Sequence, residues 1–167
     1  MVLIANKQQD SQDWFIGKAR SAAGYRKKIV NNTERSRDSV VIGKMFFFSY
    51  DPKFKKTLPM YDRFPLVFPI EPYSDGFLGL NLHYLAPAER SWLLTKLSGF
   101  SNNKKYDAST RLKLTYDLLS STKKLSRVSR PCVKRYLFGH VRSRFIEITA
   151  NEWEKAINLP VAMFEYN

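Results

Sequence analysis

Residues 43–85 read GKMFFFSYDPKFKKTLPMYDRFPLVFPIEPYSDGFLGLNLHYL, and the reading of this stretch decides the fold. Lys44–Tyr50 and Leu66–Ile70 are apolar runs of strand length, rich in Phe and Val. Each stops at turn chemistry: Asp51-Pro52 after the first, Glu71-Pro72 and Asp75-Gly76 after the second. Phe77–Leu85 alternates, with Leu80, Leu82 and Tyr84 on one face and Asn81, His83 and Leu85 on the other. Prolines at 59, 65, 69 and 72 exclude a helix, because proline has no N–H to donate and its ring collides with the preceding turn. They confine strands to edges and bends. The stretch therefore predicts a small, strongly curved antiparallel β-barrel of SH3-like size. Phe46, Phe48 and Tyr50 share one parity and belong to its core, with Phe47 on the other face.

Working outward, Ala86–Leu97 (APAERSWLLTKL) predicts a helix. Pro87 suits the first turn, Glu89 suits the positive end of the dipole, and Gly99 is the expected stop. Trp92, Leu93 and Leu97 form its buried stripe, with Lys96 at the margin. After a polar loop over Ser98–Ala108, Thr110–Leu118 alternates as a strand returning to the barrel, and a short helix follows from Leu119 to Leu125. Pro131–His140 reads as another short helix with Val133, Tyr136 and Leu137 inward, and Arg142–Ile148 as the last strand. Thr149-x-x-Glu152 is a capping box opening a helix that ends at Leu159-Pro160, with Trp153 sealing one end of the barrel. The expected class is α+β: a barrel domain over residues 40–167 with short helices inserted and appended. An extended basic arm, residues 1–39, precedes it; a short helix within Ser11–Ala23 is interrupted by Gly17 and flanked by Gly24.

Charge is the strongest compositional fact. Against 15 Asp and Glu the chain carries 28 Lys and Arg, a net +13. Such a surplus favours polyanions through counterion release, or acidic neighbours in a large assembly. The arm contributes Lys18, Arg20, Arg26, Lys27, Lys28, Arg35 and Arg37. A second group lies within 104–144: Lys104, Lys105, Arg111, Lys113, Lys123, Lys124, Arg127, Arg130, Lys134, Arg135, Arg142 and Arg144. Because Arg111/Lys113 and Arg142/Arg144 share parity on two expected strands, they define one basic face for phosphate or for an acidic partner. Tyr25, Tyr61 and Tyr73, beside turns or charges, are the candidates for stacking on bases.

No catalytic signature accompanies these residues, and the expectation is a protein that is not an enzyme. His83 and His140 have no Cys/His spacing of a zinc site, and the single cysteine, Cys132, reads as a small buried filler. Asp51, Glu71 and Asp75 each precede Pro or Gly, where carboxylates make turns rather than hold Mg²⁺, and Asp62 in the same stretch is read as turn chemistry too. Gly76-Phe77-Leu78-Gly79 lacks the pattern of a phosphate-binding loop. No cofactor, metal, small-molecule substrate or membrane partner is expected, since no apolar run approaches bilayer length.

The blocks MFFFSYDPKFKKTLPMYDRFPLVFPI, GFLGLNLHYL and PCVKRYLFGHVRSRF resemble small basic virion proteins of T4-like tailed bacteriophages, over residues 43–160. The resemblance implies a non-enzymatic structural subunit of the baseplate, tail or neck. It would be assembled in the host cytoplasm and dock onto other virion proteins through the arm and barrel surface. The alternative it leaves open is a DNA-binding protein acting on packaged phage DNA, of the kind that guards the genome ends.

Overall fold

The computed structural model describes residues 39–101, 103–107 and 132–157, together with residues 13, 36–37, 110, 113–115, 117–118, 121 and 165–166. Among the described residues the elements follow in the order β1 (Ser36–Arg37), β2 (Met45–Phe47), β3 (Met60–Tyr61), β4 (Leu66–Tyr73), β5 (Gly76–Asn81), α1 (Pro87–Ser101), β6 (Val133–Leu137), β7 (Phe145–Ile148), α2 (Trp153–Ile157) and β8 (Glu165–Tyr166). Six form one antiparallel sheet in the order β1-β7-β2-β4-β5-β6, and β3 pairs with β8 apart from it.

The alternation of residues 45–48 divides the sheet into two faces. Phe47 lies opposite Leu66 and Ile146, whereas Phe46 lies opposite Val67 and Glu147. On one face Met45, Phe47, Leu66, Phe68, Ile70, Leu80, Ile146 and Ile148 pack with Leu93, Leu94 and Leu97 of α1 and with Trp153. The other face gathers Phe46, Phe48, Tyr50, Val67, Phe77, Tyr136 and Phe145. Its rings reveal the curvature. Phe145 of β7 sits 6.0 Å from Phe77 of β5, centroid to centroid, although two strands lie between them. A flat sheet would separate those strands by about 14 Å, at ~4.8 Å per step. The sheet therefore curls over this aromatic face, helped by an irregularity in β4 between Pro69 and Glu71.

The curl does not close. Among the described residues β1 and β6 are the outer strands and do not pair, so an open sheet replaces the expected SH3-like barrel. Rings fill the hollow, and the segment between β6 and β7 crosses its mouth through a bridge from Tyr50 to Val141. Gly76 allows the close approach of β6, since a Cβ there would lie 1.9 Å from the Tyr136 carbonyl oxygen. Trp153 does not plug a barrel end. It packs edge-on to Phe68 at 5.6 Å, under the helix-covered face, and its Nε1 donates to Ile148 O. The Thr149/Glu152 capping box is present, opening a 3₁₀ turn that leads into α2.

Other expectations need correction. The helix expected over Pro131–His140 is replaced, from Val133 on, by β6, which pairs along β5 with Tyr136 opposite Phe77, and by a 3₁₀ turn over Phe138–His140. Leu82–Tyr84 leaves the strand as a 3₁₀ turn because Asn81 Oδ1 accepts the His83 N–H and caps it. Thr110–Leu118 is not a strand, as residues 110, 113–115, 117–118 and 121 are helical. Asp107 Oδ1 accepts the Thr110 N–H at 2.7 Å, an N-terminal capping bond that outweighs the alternation of leucines. Helix α1 passes through Gly99 to Ser101, and its buried stripe is Arg90, Leu93, Leu94 and Leu97. Trp92 lies outside that i, i+3, i+4, i+7 series and is 51% exposed. The expected helix within Ser11–Ala23 and the segment 119–125 fall outside the described residues, apart from helical residues 13 and 121.

Candidate nucleic-acid interface

Two pieces of chain, the loop 51–62 and the edge strand β6, face each other across a cavity of about 520 Å³. The loop owes its shape to proline and to the Asp51 carboxylate. Lys55 N donates to Pro52 O, and Thr57 N to Phe54 O, so the chain reverses within a few residues. Lys55 Nζ bonds Asp51 Oδ1 at 2.7 Å, and Arg142 lies 3.8 Å from Oδ2; the lysine bond first, then the nearby cations, hold this carboxyl below its usual range. The turn thrusts Phe54 outward, 63% exposed, with Leu58 beside it. The Lys53 ammonium lies 5.4 Å from the centre of the Phe54 ring.

On the opposite wall, Lys134 and Arg135 are neighbours on β6. Lys134 Nζ stands 4.5 Å over the Tyr84 ring, a cation–π contact. Burial lowers the affinity of this amine for its proton. Arg135 stacks over Tyr73 at 4.7 Å and bonds Asp75 at 2.6 Å, which lowers the aspartate's pKa. The floor is a buried polar network. Asp62 accepts from Phe64 N on Oδ1, and from Asn81 Nδ2 on Oδ2, while His83 Nδ1 lies 2.6 Å from that same oxygen. Asn81 Nδ2 also donates to the Tyr136 hydroxyl at 3.0 Å. Burial, and then the Asp62 charge, push the Tyr84 phenol up to about 12 and raise that of Tyr136 as well. Aromatic walls, ammonium groups and a fixed polar floor thus meet in one concave place, the chemistry of a site for a flat anionic ligand.

The structure divides the sequence-predicted basic residues. It brings Lys134 and Arg135 to the cavity, and Arg142 beside it through Asp51. Arg144 lines a separate cleft of about 320 Å³ with Phe138 and Val141. Lys113 is exposed on the helical segment, and Lys104 and Lys105 are exposed on the loop before it. Arg37 stands in β1 opposite Phe145. Lys18, Arg20, Arg26, Lys27, Lys28, Arg35, Arg111, Lys123, Lys124, Arg127 and Arg130 lie outside the described residues, as does Tyr25. The shared-parity basic face is overturned: Lys113 is on a helix, and Arg142 and Arg144 precede β7, which begins at Phe145. Of the stacking candidates, Tyr61 lines the cavity and Tyr73 is covered on one side by Arg135.

Sequence reasoning missed Lys53 and Phe54, which line the cavity. Their signal was an aromatic set within three lysines, Lys53-Phe54-Lys55-Lys56, between Asp51-Pro52 and Pro59. It read Asp62 as turn chemistry; that carboxylate does fix the turn at Phe64, but it also organises the cavity floor. Cys132 is a buried filler, its thiol donating to Tyr84 O and pushed up to about 11 by burial and the Glu89 charge. Among the described residues no group of His, Cys, Asp and Glu is arranged to hold a metal ion.

The family described as Phage T4 terminal DNA protecting protein matches residues 3–167. No curated protein and no solved structure matches the chain. The match bears out the likeness to T4-like phage proteins and overturns the expected baseplate, tail or neck subunit. The family is described by protection of terminal DNA, not by construction of the particle.

Proposed function

Given that this chain belongs to the family of the phage T4 terminal DNA protecting protein, we propose that it binds the ends of phage DNA and shields them from exonucleases. It does so as a binder, making and breaking no bonds. The observation that carries this reading is the match from residue 3 to residue 167, which takes in nearly the whole chain and its surplus of 13 positive charges. The cavity supports it, because cations and rings converge there as a DNA end requires. Phosphate contacts are assigned to Lys53, Lys56, Lys134, Arg135 and Arg142, supplemented by the cations of residues 18–37. The protein acts on the DNA that the phage particle carries.

The test is retention of a linear duplex, compared with the same duplex covalently closed at both ends, as salt is raised. About five phosphate contacts give a log–log slope near −4.5, an affinity loss of roughly 500-fold between 50 and 200 mM salt. Linear DNA should be retained preferentially and should survive exonuclease for as long as it is bound. Equal retention of open and closed DNA, or digestion of the bound linear form at the free rate, would refute the proposal.

A further inference from the structure

We propose that the cavity between loop 51–62 and β6 is a socket for a single unstacked nucleotide, the last one of a DNA strand. This deepens the DNA-end reading and rests on it. Size is the first argument. At about 520 Å³ the space lies within the range of small-ligand sites, roughly 300–1,000 Å³, and cannot admit a duplex. A strand end is the one part of a duplex that frays without unpairing its neighbours on both sides.

The second argument is cationic charge with no carboxylate beside it. Arg135, Lys55 and Arg142 face carboxylates, at Asp75 and Asp51. Lys134 and Lys53 do not: among the described residues each touches only a ring, Tyr84 and Phe54 respectively. Lys134 is also half-buried, which makes its ammonium poorly hydrated and receptive to a phosphate oxygen. Two cations on opposite walls of one hollow fit the two phosphates of a 5′-phosphorylated terminal nucleotide, its own and the one that links it to the strand.

The rings supply the third argument. Phe54 is held in the open by its turn, where an apolar ring gains nothing from the protein, and it stands at the cavity rim. Tyr61 and Tyr84 continue the aromatic lining inward. At the floor, the Tyr136 hydroxyl accepts from Asn81 Nδ2; among the described residues no acceptor faces its own hydrogen. That hydrogen can meet a ring nitrogen of adenine, a carbonyl of thymine, or either kind of acceptor in guanine and cytosine, so every base offers it a partner. The socket therefore reads the presence of an unstacked base and not its identity.

The experiment uses the full chain and three labelled DNA probes of one length. They are a duplex with three-nucleotide overhangs, a blunt duplex, and a duplex closed by hairpin loops at both ends. Affinities are compared for the wild type, Phe54→Ser, Lys134→Gln and the control Lys96→Gln on the exposed side of α1. Circular dichroism and urea midpoints verify folding. The overhang probe should bind more tightly than the closed probe, and Phe54→Ser and Lys134→Gln should each reduce that ratio about tenfold or more, as loss of one stacked base or one phosphate contact does. Lys96→Gln should leave the ratio unchanged. An overhang preference that survives both variants overturns the socket while leaving DNA-end binding intact. Equal binding of all three probes by the wild type overturns the end-binding reading itself. Free dAMP and dTMP separate the two sources of a nucleotide: competition only at millimolar concentration supports the strand end, and competition at micromolar concentration overturns it in favour of a free mononucleotide.

Discussion

Substitution of Asp62 by Asn tests the part of the structure on which the cavity stands. The carboxylate is 7% exposed and receives Phe64 N on Oδ1, with Asn81 Nδ2 and the His83 ring on Oδ2. Asparagine keeps the shape but offers one acceptor oxygen. Its better rotamer turns that oxygen toward Asn81 and His83, and then the amide NH₂ faces the Phe64 N–H, donor against donor. A buried donor stripped of its acceptor costs about 1–3 kcal/mol, and two bonds lose the assistance of a charge, about 1 kcal/mol each. Local relaxation recovers part, leaving an expected destabilisation of about 3 kcal/mol. For a chain of this size that lowers the thermal midpoint by roughly 6–12 °C, at about 2–4 °C per kcal/mol. Thermal and urea unfolding of the two proteins measures it. Tyr136→Phe, which removes only the hydroxyl accepting from Asn81, should cost about 1 kcal/mol. Because both changes act through Asn81, the double variant should fall short of the sum. An Asp62→Asn protein within 1 kcal/mol of wild type would refute the reasoning, as would strict additivity with Tyr136→Phe.

Three further outcomes are expected. Gly76→Ala sets a methyl 1.9 Å from the Tyr136 carbonyl oxygen, so β6 must shift away from β5; a loss of about 2–3 kcal/mol in urea unfolding is expected, and an unchanged midpoint would contradict the register. Trp153→Ala empties the space beside Phe68 and deletes the bond to Ile148 O, for a loss of about 3–5 kcal/mol by the same assay. Cys132, its thiol raised from 9.0 to about 11, carries at pH 8 roughly a hundredth of the thiolate of an ordinary cysteine. Alkylation by iodoacetamide at pH 8 should therefore run about a hundredfold slower in the folded protein than in urea, and equal rates would place the thiol at the surface.

Much of the sheet was legible because its signals are local. Proline forbids a helix interior, four prolines fall between residues 59 and 72, and the apolar runs at 45–48 and 66–70 stayed extended. The parity of Phe46, Phe48 and Tyr50 assigned them to one cluster, where they lie. The Thr149/Glu152 box worked for the same reason, since both its bonds close within four residues. Period alone misled at 110–118 and 131–140. Leucines spaced two apart also include pairs four apart, and an Asp107 cap settles the helix; Tyr136 is held extended by Phe77, more than fifty residues away in sequence.

By itself, then, the sequence determined a curved antiparallel sheet with covering helices, an excess of positive charge and a likeness to T4-like phage proteins. Only the tertiary structure decided that the sheet stays open, because ring packing across the curl is a contact between distant strands that no local pattern records. It alone separated cations that already face carboxylates from Lys53 and Lys134, which do not among the described residues. Charge is a property of composition; its neutralisation depends on which residues the fold brings within four ångströms.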